Sequence, residues 1–147
     1  MIVTPLSSSH LHLDAALLSS VRFEAIGPSK GQSLGPSEFW LRTQWVQRHK
    51  LAVDVEMKLE APGVFNSHVV FQVHIRNEPV TVDPSMEDHF WKTVAAIMAP
   101  SIAYPFMREI VTSLALRAGI PAVLPIMDTS KLFDPQTVEL PSKRPEK

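Results

Sequence analysis

The chain has 147 residues, a length that suits one domain able to bury a hydrophobic core without covalent cross-links. It contains no cysteine, which excludes disulfides, thiolate–zinc sites and cysteine nucleophiles. Fourteen basic and fifteen acidic residues give a net charge of −1, too balanced for a nucleic-acid-binding surface. The N-terminus lacks the features of a signal peptide, and no stretch reaches the roughly 20 apolar residues of a membrane span. We therefore expect a soluble cytoplasmic protein.

Four segments have the alternating pattern of half-buried strands. The first covers residues 19–26, and the second, which is less regular, covers residues 38–46. Residues 50–60 alternate most clearly, and residues 68–76 follow after a short loop, so these two segments read as a hairpin. Because a sheet with one polar face is normally antiparallel, the sequence predicts a small antiparallel sheet of about four strands.

The hydrophobic period then changes to that of helices. Asp83 or Ser85 can cap a short helix, which is expected to stop or kink at Pro100. A longer helix is expected to begin at Pro105, which suits a first turn, and to end at about Arg117, just before Gly119. The sequence therefore predicts an α+β fold, with the long helix and the shorter preceding helix on one face of the sheet.

We expect one domain over residues 1–147, with flexible tails over 1–14 and 134–147. The long helix of this domain is apolar nearly all round, whereas a small sheet can cover only one of its faces. The uncovered surface predicts self-association, with Phe106, Ile110 and Leu114 in the interface. The alternative is that the shorter helix covers this surface within one chain.

A run in and after the long helix resembles the signature of a known family. Residues 100–114 read PSIAYPFMREIVTSL and residues 117–121 read RAGIP. The aromatic-Pro-aromatic step, the Arg-Glu and Thr-Ser pairs and the Arg-small-small-apolar-Pro exit look like the long-helix signature of SecB. Residues 131–134 (KLFD) are similar to the short aromatic segment after the helix-connecting loop of that family. The resemblance covers most of the chain and is specific over residues 100–121.

This resemblance implies an export chaperone that works without a cofactor, without nucleotide and without catalysis. The family assembles as a homotetramer, a dimer of dimers, and hands unfolded preproteins to the SecA motor. We therefore predict ATP-independent holding of unfolded or apolar polypeptide, for export or for a dedicated client such as an antitoxin of a toxin–antitoxin pair. The candidate client contacts are in an apolar, proline-interrupted loop and on the second strand: Ile120, Val123, Leu124, Ile126 and Trp45.

The sequence departs from the family pattern where SecA docks. Gln72, beside Val70, stands at the acidic position of the last strand, and Ser20 stands at an acidic position of the first strand, although Glu24 is retained. Prolines beyond Phe133 leave the C-terminal helix of the family largely missing. With Glu24, Val70 and Gln72 as the remaining motor-contact positions, we predict weak or absent SecA binding.

A second function rests on the string HxHxD near the N-terminus. His10, His12 and Asp14 have the spacing that opens some metallo-hydrolase sites, but Ala15 stands where that motif has a histidine. A zinc hydrolase also needs a third ligand and a positioned base from elsewhere in the chain. A small metal-dependent hydrolase is the alternative function, and a polar strand is the simpler interpretation of these residues.

Overall fold

The computed structural model describes residues 11–28, 37–78, 84–122 and 124–147. Four strands, β1 (Leu11–Ala25), β2 (Glu38–Gln47), β3 (Lys50–Ala61) and β4 (Phe65–Asn77), form one antiparallel sheet in the order β1-β4-β3-β2. Helix α1 (Pro84–Thr93), a π-helical segment (Val94–Met98) and helix α2 (Ala99–Arg117) follow. Two 3-10 turns come last, at Thr129–Lys131 and Pro135–Thr137. The predicted α+β class, with an antiparallel sheet and a long helix, is confirmed.

The centre of the sheet is the hairpin of β3 and β4, whose residues alternate between apolar and polar. The register pairs Val53 with Val73 and Val55 with Phe71, so the apolar side chains of both strands share one face. All four of these side chains are buried against the helices. The opposite face carries the polar side chains and is partly exposed. We call these the inner and outer faces of the sheet.

Strand β1 is longer than the expected 19–26, since it begins at Leu11 within the predicted N-terminal tail. Its register shifts after Leu13 and again after Leu18, with one residue bulged out at each place. Each bulge moves the alternation by one position and keeps an apolar side chain on the inner face. The β1 residues paired with inner-face residues of β4 are Leu11, Leu13, Ala16, Leu18, Val21, Phe23 and Ala25.

The helical part is continuous, whereas two separate helices were expected. Pro100 has no N–H for an α-helical bond, and its ring would clash with the carbonyl four residues back. Just before it, the backbone widens into the π-helical segment, where the N–H of Ala99 donates to the carbonyl of Val94, five residues back. The chain then passes Pro100 and Pro105 as part of α2. The helix therefore does not stop at Pro100 or begin at Pro105, and the shorter helix is only the first part of one long helix.

The continuous helix Ser85–Arg117 has 33 residues, and its length and composition would suffice to cross a membrane. The sequence analysis had expected no such stretch, because it divided this helix at the prolines. Half of the helix's most apolar window is buried inside the protein, where Met107 and Val111 pack into the core. A helix that covers a sheet in a protein core has the same composition.

The C-terminal segment (residues 138–144) differs from the expected flexible tail. After the turn at Pro135–Thr137 it returns to β2, where Val138 is buried in the core cluster. Thr43 and Trp45 of β2 both donate hydrogen bonds to its carbonyl groups. The segment is thus part of the folded domain and covers one end of the inner face.

Candidate functional site

A groove of about 530 Å³ follows β2, between this strand and residues 133–141. We call it the β2 groove. Its apolar lining includes the partly buried Phe39, Leu41, Phe133 and Leu140, together with Val138 and Pro141. The rest of the lining is polar: Arg42, Thr43, Thr137 and Glu139. Trp40 is 43% exposed at its rim.

Strand β2 is also an edge of the described sheet, because its one strand partner there is β3. An edge strand offers backbone N–H and C=O groups to an added extended chain. Apolar pockets beside the edge can take alternate side chains of that chain. The β2 groove therefore has the chemistry of a site for an extended apolar polypeptide.

Two side chains of β2 hold the C-terminal segment by donating hydrogen bonds to main-chain carbonyls of the segment. The Thr43 hydroxyl donates to the carbonyl of Glu139 at 2.8 Å, and Trp45 Nε1 donates to the carbonyl of Pro141 at 3.1 Å. The two donors are two residues apart on the inner face of β2, and so are the two acceptors on the segment. This spacing is the repeat of an extended chain. β2 therefore recognises the extended backbone of the segment through these two side chains.

The contact between the segment and β2 ends at Arg144. The guanidinium of Arg144 lies in a cluster of aromatic and acidic groups, which we call the arginine cage. The guanidinium carbon lies 4.4 Å from the ring centroid of Trp45 and 5.9 Å from that of Trp91. The two indole rings pack edge to face, with centroids 5.2 Å apart. Nη2 of Arg144 lies 2.7 Å from Glu87 Oε1, and its Nε donates to the carbonyl of Arg48 at 2.7 Å. One guanidinium thus has π-contacts, an ion pair with Glu87 and a charge-assisted hydrogen bond to the carbonyl of Arg48.

The imidazole of His49 lies in the electrostatic field of this cage. Burial lowers the pKa of His49, and the positive charges of Arg144 and Arg48 lower it further, while Glu87 acts in the opposite direction. The lowered pKa favours a neutral imidazole, and the cation that lies beside the Glu87 carboxylate is Arg144.

The apolar loop after α2 is attached to that helix by two hydrogen bonds. The Tyr104 hydroxyl donates to the carbonyl of Pro125 at 2.7 Å, and Arg108 Nε donates to the carbonyl of Leu124 at 2.9 Å. Burial raises the pKa of Tyr104, partly offset by the charge of Arg108, so the phenol keeps the proton that it donates. The loop therefore has one defined path across α2.

Along this path, some of the predicted client contacts in the loop are buried and one is exposed. Ile120 and Leu124 are only 5% and 2% exposed, so the assumption that they are available to a client is wrong for both. Their side chains turn into the core because the loop backbone is held on α2. Ile126 is 86% exposed and stays a candidate contact, and Val123 lies outside the described residues. Trp45, the candidate on β2, is covered by the C-terminal segment.

A second apolar surface combines β1 with α2. Phe106 is 46% exposed although its ring stacks on Phe71, with centroids 5.2 Å apart. Leu18 pairs with Phe71 and Val21 pairs with Val69, so both flank this aromatic stack, and both are about half exposed. We call this the β1–α2 surface. Two further residues predicted in the interface, Ile110 and Leu114, follow Phe106 at four-residue steps on the same helix face and are partly buried.

The predicted motor-contact residues lie on the outer face. Val70 and Gln72 alternate with the buried residues of β4, and Glu24 pairs with Asn66. The Gln72 amide donates to Asp54 Oδ1 at 2.9 Å, and its Oε1 lies 2.7 Å from His74 Nε2. A carboxylate thus lies directly beside the position where the family pattern has its own acidic residue.

Two residues of the HxHxD string, His12 and Asp14, lie beside charged side chains. His12 Nε2 lies 3.1 Å from Glu78 Oε1, and Asp14 Oδ2 lies 3.2 Å from both Lys50 Nζ and Arg76 Nε. Partial desolvation would raise the pKa of Asp14, but the hydrogen bond from Lys50 and the charges of Arg76 and Lys50 hold it below its ordinary value. Two cations therefore occupy the carboxylate that a metal would need.

No group of three or more His, Asp or Glu side chains within the described ranges could hold a metal ion. His10, the first residue of the proposed ligand set, lies outside those ranges. The remaining pair, His12 and Asp14, gives the hydrolase interpretation no support.

A four-stranded antiparallel sheet covered by one long helix, with apolar surfaces at both edge strands, defines a SecB-like α+β protein. The family model described as "Preprotein translocase subunit SecB" matches residues 29–139, and the chain therefore belongs to the SecB family. The family and the chaperone class predicted from the sequence are thus confirmed. No curated protein sequence matches the chain.

Among solved structures, the fold is similar to that of the Rv1957 SecB-like chaperone of Mycobacterium tuberculosis, in complex with a ChAD peptide from the Rv1956 HigA1 antitoxin. The TM-score is 0.67 at 20% sequence identity, and the match covers 82% of this chain and 93% of the other. At 20% sequence identity, this similarity is evidence for a shared fold alone.

Most of the groove lining was not predicted from the sequence. Phe39, Leu41 and Thr43 of the lining occupy alternate positions of one predicted strand, and Trp45 follows at the same spacing. A strict period of two therefore places these side chains together on one face. No comparable signal marks Phe133 or Arg144, because their partners lie far away in the sequence.

Proposed function

We propose that this SecB-family protein is a cytoplasmic, ATP-independent chaperone that holds unfolded or apolar segments of other polypeptides and catalyses no reaction. The observation that carries the proposal is the β2 groove, which has an apolar wall among polar groups and lies beside an edge strand. An extended client bound there would add main-chain hydrogen bonds along β2 and place alternate side chains between Phe39, Leu41 and Phe133. Binding of this kind requires no nucleotide, because burial of apolar surface supplies the free energy.

The expected affinity is moderate. Apolar contact contributes about 25 cal/mol per Å² removed from water, and ordering an unfolded client offsets a large part of that gain. The groove walls are β2 and a segment already attached to it, so little of the chaperone has to be ordered on binding. Moderate affinity allows a client to be held and then released without an energy source.

We further propose a dedicated client, such as an antitoxin, rather than general preprotein export. The similar mycobacterial chaperone is described in complex with a peptide from an antitoxin, and this chain shares its fold. The C-terminal helix expected for an export SecB is replaced here by the segment that lies on β2. Recovery of one predominant polypeptide after affinity purification from the native cytosol would support this proposal, whereas a broad set of preproteins would contradict it.

For assembly, we propose a dimer of dimers that uses the β1–α2 surface. Leu18, Val21 and Phe106 are each about half exposed, close together and apolar. If two chains pack these surfaces against each other, the apolar side chains are removed from water. Contact between the same surface of both chains is also the arrangement of a two-fold symmetric dimer. Ile110 and Leu114 extend the same helix face toward that partner.

Docking to SecA is expected to be weak or absent. Gln72 replaces an acidic residue, and the neighbouring Asp54 already accepts a hydrogen bond from it. The outer face also carries cations, such as Lys58 and Arg22, among its carboxylates. Calorimetry with the cognate motor should give no measurable heat at micromolar concentrations, and a tight, salt-sensitive complex would contradict the expectation.

The chaperone proposal is tested by suppression of aggregation. The purified protein, without nucleotide, should keep a chemically unfolded client soluble after dilution. Trp40→Ser at the groove rim should weaken suppression several-fold, while Val46→Ser, an exposed apolar position of β2 that does not line the groove, should leave it unchanged. Both variants should melt like the wild type. If the wild type does not suppress aggregation of any client, the proposed function is wrong.

A further inference from the structure

The C-terminal segment occupies its place on β2 as an extended peptide ligand would. The bonds from Thr43 and Trp45 go to main-chain carbonyls, so they do not depend on the side chains of the segment. The contact between the segment and β2 involves no backbone ladder in the described structure, because the one strand that pairs with β2 is β3. β2 therefore holds a short extended chain through its side chains.

The arginine cage supplies the specific part of this contact. Stacking on Trp45 and Trp91 selects a planar cation, and the Glu87 carboxylate selects positive charge. The carbonyl of Arg48 accepts from Nε, a donor that lysine lacks. Arg144 is only 18% exposed there, in a segment whose neighbouring Lys143 is exposed. The cage is thus a built site for a guanidinium group.

The cage is also adjacent to the β2 groove. Pro141 lines the groove and accepts the Trp45 bond, and Arg144 enters the cage three residues later. A client chain lying in the groove in the direction of the C-terminal segment would reach the cage with a residue just past its apolar part. To reach the cage, the same client would have to displace Arg144 and the residues next to it, while residues 133–141 stay as the wall of the groove.

We propose that Trp45, Trp91, Glu87 and the Arg48 carbonyl form an arginine-binding subsite, which Arg144 fills in cis until an extended client segment with its own arginine displaces it. This inference rests on the proposed function, because it assigns the kind of polypeptide that the chaperone accepts: an extended apolar stretch followed by an arginine. The C-terminal segment then acts as an internal competitor that keeps clients without this pattern out.

The test uses the full-length protein and a fluorescent peptide of residues 137–147, TVELPSKRPEK. Arg144→Ala empties the cage, so the peptide should bind this variant about fivefold or more tightly than it binds the wild type. The reason is that apparent affinity scales with the fraction of molecules whose site is open. Lys143→Ala removes a neighbouring exposed cation and should bind the peptide like the wild type.

Two further measurements identify the arginine as the group recognised. A second peptide carries alanine in place of its arginine. It should bind the Arg144→Ala protein no more tightly than it binds the wild type. Adding Glu87→Gln to that variant should also return binding to wild-type levels or weaker, because the cage loses its carboxylate. If Arg144→Ala melts at a much lower temperature, Arg144→Lys takes its place, with a smaller gain expected because lysine keeps the charge without the planar fork.

Equal binding of the peptide to the wild type and the Arg144 variants would overturn the proposal, as would equal binding of the two peptides. Peptide binding is measured without any aggregating client, so the two proposals fail separately. If the protein suppresses aggregation but the peptide binds Arg144→Ala no more tightly than the wild type, the chaperone function stands and the arginine subsite is wrong. If the peptide binds Arg144→Ala more tightly but the protein suppresses no aggregation, the subsite stands and the chaperone function is wrong.

Discussion

Single side chains decide which apolar residues of this chain can meet a partner. Ile126 and Leu124 are two positions apart in one proline-interrupted loop, yet one is 86% exposed and the other 2%. Hydrogen bonds from Arg108 and Tyr104 to the loop carbonyls fix the path that separates them. Hydrophobicity alone therefore does not identify the client contacts of this loop.

The difference in exposure between Leu124 and Ile126 predicts a large effect on stability for one serine substitution and a small effect for the other. Leu124→Ser should lower the free energy of unfolding by about 3 kcal/mol or more, because it leaves a cavity and buries a hydroxyl. Ile126→Ser should change it by less than about 0.5 kcal/mol. Urea denaturation measures both. We also expect Ile126→Ser to weaken client holding moderately, and equal destabilisation by the two changes would contradict the exposure difference.

At the scale of elements, regular patterns were predictable and irregular ones were not. β3 and β4 keep one pairing register and alternate with few exceptions, such as Ala52 and Val70, and their hairpin was predicted from this pattern. β1 contains bulges after Leu13 and Leu18, which break the period, so only its last part was recognised. Pro100 reads as a helix end in sequence, but a π-helical turn accommodates it. In each case the difference is a local backbone adjustment that tertiary packing stabilises.

The end of α2 was predicted from Gly119 and has a specific backbone cause. Gly119 has φ +76°, the N–H of Gly119 donates to Leu116, and the N–H of Ile120 donates to Ala115. These two bonds are those of a Schellman motif, in which a left-handed residue ends the helix. A side chain at this position would meet no atom within 4 Å, so only the backbone conformation requires glycine.

Gly119→Ala should therefore destabilise the protein by roughly 1–2 kcal/mol, the cost of a left-handed backbone for a residue with a Cβ. Ser113→Ala, an exposed position in the same helix, is the control and should be neutral or slightly stabilising. Thermal or urea unfolding compares the two. An unchanged stability for Gly119→Ala would mean that the helix end rearranges at no cost.

At the scale of the whole molecule, contacts between distant parts of the chain complete the candidate site. Trp45 was identified as a candidate from the sequence, whereas its partner Arg144 was assigned to a solvated tail. The ion pair of Arg144 with Glu87 and the bonds from Thr43 and Trp45 join segments that no local pattern connects. Sequence periodicity thus identified the surfaces of each element but not which segment covers them.

The proposed assembly can be tested with neighbouring leucines of β1. Leu18 belongs to the β1–α2 surface, while Leu17 pairs with Gln72 on the outer face, and both are about half exposed. Leu18→Asp should break a tetramer of 16.4 kDa chains into smaller species, because it places a charge in the interface. Leu17→Asp should leave the assembly unchanged in light scattering. A folded wild-type monomer at micromolar concentration would contradict the assembly.

Binding of clients in extended form along β2 can be measured by hydrogen–deuterium exchange of the 147-residue protein, with and without an unfolded client. When the client is bound, we expect slower exchange for the β2 amides that point away from β3, and for the amides around Phe133 and Leu140. Exchange in the β3–β4 hairpin should stay unchanged. Client binding without any protection of β2 would contradict the account.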